Sequence, residues 1–142
     1  MMSLKVELLN ESLGEQARAE PKLKPVLTIE EFFEGNVEEG ISIGCNLIPS
    51  IPLLTFRRML EGIRGRLDVH ALWLSVAEFG QGPEWPFVDE VLVLTSAGRS
   101  DLEKWFLELR PTEIVAINNA QVPPRCCNHG FTATTWFSAF WD

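Results

Sequence analysis

A chain of 142 residues, 46% hydrophobic and 23% charged, has room for one domain with a real core but not for two full-sized ones. Twenty acidic against twelve basic residues give a formal charge of −8, which repels a phosphate backbone and argues against nucleic acid as a partner. Three cysteines do not make a disulfide framework, no apolar run is long enough for a membrane span, and MMSLKVELLNE turns charged too early for a signal peptide, so the expected setting is the cytoplasm.

Leu4, Val6 and Leu8 alternate and predict a short edge strand, and Pro21 and Pro25 mark a linker; residues 1–26 therefore read as an extension. In LTIEEFFEG, Thr28 and Glu31 stand three apart as a capping box, which predicts a short helix with Phe32 and Phe33 as its apolar payload. ISIGC, from Ile41 to Cys45, alternates and predicts a strand. Ser50 is then expected to cap a helix running to about Gly62, whose Leu53, Phe56, Leu60 and Ile63 share one face.

Val69 to Phe79 and Phe87 to Thr95 predict two strands joined by GQGPEWP, an antiparallel hairpin with a loop of moderate length. A second capping box, Ser100 with Glu103, opens a helix with Leu102, Trp105, Phe106 and Leu109 as its stripe, and Pro111 closes it. Glu113 to Ile117 supplies another strand. Read from Ile41, the order β-α-β-β-α-β predicts an α+β, ferredoxin-like sheet-and-helix sandwich within a core domain of residues 27–117, a topology that carries no function with it.

Val91-Leu92-Val93-Leu94 and the middle of Val69–Phe79 are apolar on both sides, whereas two helices cover one sheet face only. A third layer is therefore required. Residues 118–142 bring Phe131, Trp136, Phe137, Phe140 and Trp141 within eleven positions, and this extension is expected to fold back over the second face or to press against a partner. The N-terminal extension is expected to share that role.

Candidate contact residues are few. Cys45, Asn46 and Ser50 surround a predicted helix N-terminus, where thiols are acidified and anions bind; the ordinary alternative for Cys45 is a small buried hydrophobe. Arg57 and Arg58, with Arg64 and Arg66, form the densest basic stretch and read as a solvated helix face or a contact for an acidic partner. Trp85, between Pro83 and Pro86, is either a loop anchor or an exposed hot spot. Cys126, Cys127 and His129 lack the C-x-x-C spacing of a metal site. Asp89 and Glu90, adjacent on a strand, should point to opposite sides. No nucleotide, zinc-protease or nucleophile-elbow motif occurs, so no cofactor or metal is implied. The pattern favours a noncatalytic protein-interaction or regulatory domain. The alternatives are a small-molecule binder or enzyme using the Cys45–Ser50 loop, and a structural homodimer.

Overall fold

The computed structural model describes residues 2–80, 84–126 and 133–142. Five strands form one antiparallel sheet: β1 (Val26–Leu27), β2 (Val69–Glu78), β3 (Phe87–Thr95), β4 (Glu113–Ile117) and β5 (Thr135–Phe140), in the spatial order β1-β2-β3-β5-β4. Among the described residues four α-helices accompany it: α1 (Met2–Ala19), α2 (Ile29–Phe33), α3 (Leu53–Arg64) and α4 (Arg99–Trp105). The class is α+β with an open sheet, and the expected central hairpin is present with Leu72 opposite Val93 and Leu74 opposite Val91.

Three readings are corrected. The N-terminal segment is a helix, not an edge strand. Val6, Leu9 and Leu13 recur at three and four residues, and Val6 and Leu13 enter the main core while Leu8 stays exposed. The Gln16 side chain then closes the outside of β1, with Nε2 donating to the Val26 carbonyl at 3.0 Å and Oε1 accepting from the Val26 N–H at 2.9 Å. ISIGC does not become a strand: only one parallel bridge forms, Ile43 to Val88, because Gly40 and Gly44 on either side take φ of +69° and +64°. Finally, Phe131 lies outside the described residues, and the aromatic residues from Trp136 to Phe140 are not a layer laid over the sheet. Residues 135–140 are β5, inserted between β3 and β4, so the five-strand order replaces the four-strand ferredoxin-like arrangement.

The sheet is apolar on both faces, as its sequence requires. On one side Leu72, Leu74, Val91, Val93, Ile114, Phe137 and Ala139 share a core with Phe56 and Leu60 of α3, Leu102 of α4 and Phe106 just beyond it. On the other, Leu92, Leu94, Trp136 and Val26 form a smaller core closed by Cys126, with Val122 and Trp73 packed against it. Among the described residues, the third layer is therefore the stretch 118–126, which leaves β4 and covers the second face. Arg125 pins it, reaching the Glu31 carboxylate with two hydrogen bonds of 2.8 Å, the Val26 carbonyl at 2.8 Å, and the Trp73 ring face at 5.0 Å.

Capping follows the expected chemistry at α2 and is displaced at α4. Thr28 and Glu31 form the predicted box, with Glu31 N–H donating to Thr28 Oγ1 at 3.1 Å and Thr28 N–H donating to Glu31 Oε1 at 2.9 Å. At α4 the acceptor is Asp101, which takes the Gly98 N–H at 3.2 Å, so the helix starts before Ser100. No helix among the described residues is long and apolar enough to cross a membrane.

Candidate contact surface around the Cys45–Leu54 loop

Gly44 opens this loop because nothing larger fits. A Cβ there would lie 2.9 Å from Phe56 Cζ and 3.0 Å from Leu47 Cδ1, at a positive φ that side chains avoid. Cys45 and Asn46 are exposed at the rim of a cleft of about 170 Å³ lined also by Leu47, Phe87, Thr112, Trp141 and Asp142. Asn46 Nδ2 donates to the Asp142 carbonyl at 2.8 Å, and the Asp142 N–H donates to Thr112 Oγ1 at 2.9 Å. Below them Trp141 is buried, edge-on to Phe56 at 5.7 Å, with its indole Nε1 donating to the Leu109 carbonyl at 2.7 Å.

The rest of the loop is held from the other side. Arg110 donates from Nη1 to the Ile48 carbonyl at 3.2 Å and from Nη2 to the Pro49 carbonyl. Ser50 is exposed and does not cap α3. That helix starts at Leu53, and its first N–H donates to Glu39 Oε1 at 2.7 Å, a carboxylate fourteen residues upstream. The positive end of α3 therefore carries the protein's own anion, which removes the attraction that made this turn a candidate anion site. Among the described residues no histidine stands beside Cys45. His70 sits on β2 eight residues from Glu78, which pairs with Phe87 at the cleft; at about 3.3 Å per residue that is roughly 26 Å away. Cys127 and His129 lie outside the described residues. Among the described residues, no three His, Cys, Asp or Glu side chains come together as a metal site.

What the loop presents instead is apolar. Ile48 is 91% exposed, and Ile41, Leu54 and Leu107 are also largely exposed. The segments that carry them are tied together: Glu39 holds Leu53, and Arg110 bridges from the turn after Leu107 to Ile48 and Pro49.

The other candidates fare differently. Trp85 is buried, its Nε1 donating to the Phe32 carbonyl at 2.7 Å and its backbone N–H to Glu38 at 2.9 Å, so it is the loop anchor and not the hot spot. Arg57 is engaged by Glu34 and Glu61 at 3.2 and 3.3 Å. Arg64 grips Glu30 with hydrogen bonds of 2.7 and 2.8 Å, and this guanidinium holds the Glu30 carboxyl down at about 2. Arg66 meets Asp68 at 3.2 Å and lies over the Trp105 ring at 4.1 Å. Arg58 is exposed beside a shallow cleft floored by Met59, Ile63 and Trp105, and is the one of the four that makes no ion pair among the described residues.

The chain belongs to the YfbO family. The model of that family, described as "Uncharacterized protein YfbO family", matches residues 4–133. The match takes in α1, the Cys45–Leu54 loop and β4, and stops short of β5. One member to which this chain is similar is "Uncharacterized protein YfbO" of Escherichia coli (strain K12), 36% identical over 86 residues. That stretch is 60% of this chain and 59% of the relative, so the chain spans well under two thirds of the relative's length. No solved structure matches.

One polar cluster escapes a reading of the sequence altogether. Lys24 Nζ lies 3.0 Å from Asp89 Oδ1 and 3.2 Å from Glu90 Oε1, and Ser138 donates to Glu90. Asp89 and Glu90 reach one cation because the register slips there: Ser75 pairs with Glu90 but Val76 with Val88, leaving Asp89 as a bulged residue turned towards its neighbour's side. The opposite-sides expectation is thereby corrected. Burial works against the Lys24 ammonium, but Glu90 and Asp89 outweigh it and raise its pKa above the ordinary 10.5. The cluster borders a groove of about 430 Å³ between residues 22–24 and 120–123. No sequence pattern marks the bulge, and Lys24 looked like one more linker charge.

Proposed function

We propose that this chain is a noncatalytic protein-interaction domain of the cytoplasm, and that its contact surface is the loop around Ile48. The observation that carries this reading is a large aliphatic side chain, 91% exposed, on a loop whose backbone is clamped by Arg110. Single exposed hydrophobes are common on any surface. Here Ile41, Leu54 and Leu107 lie on segments bound to the same loop, and a rigid apolar anchor is what an interface needs at its centre. The carboxylate of Glu39, which occupies the N-terminus of α3, and the distance of His70 from Cys45 favour this over a small-molecule role for the same loop.

The test is a photo-crosslinking residue placed at position 48 in living cells. A discrete adduct with another protein is expected, lost with Leu54→Asp and kept with Leu67→Asp, since Leu67 is fully exposed on a separate turn. Absence of any adduct, an adduct with the chain itself only, or the same adduct from a crosslinker at position 67 overturns the reading.

A further inference from the structure

The five-stranded sheet has two edges, and they are treated differently. At β1 the Gln16 amide occupies both the N–H and the carbonyl of Val26, so that edge is closed by its own chain. At the other edge lies β4, EIVAI, which pairs with β5 on one side; among the described residues no strand pairs with its other side. In an antiparallel ladder every second residue turns its N–H and C=O away from its partner, so β4 offers a row of backbone groups to water. The usual protections are missing within β4: it holds no lysine, no proline and no register shift against β5.

The geometry points to a homodimer in which β4 of one chain pairs antiparallel with β4 of a second copy, joining two sheets into one of ten strands. The strand suits itself. A two-fold axis at Val115 sets Val115 against Val115 of the second copy, Ile114 against Ala116, and Glu113 against Ile117. The single charge of the strand thus never faces its own image, and each face of the joined sheet carries apolar pairs at its centre. Five paired residues alone fall short of the roughly 800 Å² per partner of a stable interface, so neighbouring surface must contribute. It is at hand: Leu107, 73% exposed, stands with Arg110 and Ile114 at an open groove of about 340 Å³ between α4 and the start of β4. A neighbouring strand and its helix layer would fill that groove. The charge of −8 on each chain opposes the pairing, so the dimer should tighten with added salt.

The experiment measures mass by light scattering and amide exchange by mass spectrometry over a concentration series of the purified protein. A mass of twice 16.0 kDa is expected at high concentration, with exchange in residues 113–117 slowing as the dimer forms. Val115→Lys should return the chain to one mass unit with its circular dichroism unchanged, and Leu107→Glu should weaken the dimer at least tenfold. Ile48→Asp with Leu54→Asp should leave the dimer intact, which separates this proposal from the contact loop. A chain monomeric at every concentration overturns the inference. So does a dimer whose β4 amides exchange at the same rate as in the monomer, or one that the Ile48 and Leu54 changes dissolve.

Discussion

Arginine–carboxylate pairing decides how this acidic chain spends its few cations. Arg64 and Glu30 make two short parallel hydrogen bonds, a geometry stronger than a point contact. The Glu30 carboxyl is held at about 2, against 4.5 for the ordinary group. A depressed folded-state value means stabilisation that is complete above 4.5 and lost as pH falls towards 2. Both side chains are more than a third exposed, so screening keeps the contribution within about 1 kcal/mol. A carboxyl-detected NMR titration should find Glu30 with its midpoint near 2 and, in an Arg64→Gln variant, back near 4.5. Glu31 shows a different balance: burial would raise its carboxyl, but the Arg125 guanidinium and the Thr28 N–H outweigh it and leave the value below ordinary. The residue that performs this second task, Arg125, stands 94 positions away, which is why no spacing in the sequence announced it.

At the level of elements, β5 carries more than its six residues imply. Trp136 is 1% exposed on the second face, and its indole Nε1 is buried without a hydrogen-bond partner among the described residues, so its contribution is packing alone. Trp136→Ala should cost about 3–5 kcal/mol in chemical denaturation. Trp136→Phe should cost less, because it also removes an unpaired donor. Strands and helices with strong periodicity were legible: β2, β3, β4, and the Thr28–Glu31 box appear where their patterns put them. The apolar runs on both sides of β2 and β3 also announced a third layer. Three elements were not legible, each for a physical reason. In α1, the three-residue alternation of Leu4, Val6 and Leu8 hid the longer spacing of Val6, Leu9 and Leu13. ISIGC alternates, but Gly40 before it and Gly44 within it bend the backbone away from a ladder. β5 reads as an aromatic cover because every one of its faces is apolar, and hydrophobicity alone does not distinguish lying on a sheet from lying in it. The contact loop was found by its cysteine and serine, yet what distinguishes it is Ile48, fixed by an arginine 62 residues on.

For the molecule as a whole, the two cores are joined through β5, since Phe137 and Ala139 face the larger and Trp136 the smaller. A chain shortened to residues 1–133 should therefore lose its cooperative transition as monitored by near-ultraviolet circular dichroism, and a trimmed but still sharply melting protein would contradict this joining role. The division of the surface is equally uneven. Arginine–carboxylate pairs gather on α2 and α3, the apolar anchor sits at the loop before α3, and the open strand edge lies beyond α4; the two contact surfaces are centred apart, on Ile48 and on Val115, and adjoin at Leu107 and Arg110.

The order in which strands are made and the order in which they sit differ, and this bears on how the chain leaves the ribosome. β4 emerges with both of its flanks bare and stays so until the segment bearing β5 follows and slots between it and β3. During that interval the nascent chain displays two unfilled seams of backbone and the underside of a half-built sheet, the kind of surface that chaperones hold and that crowded neighbours capture.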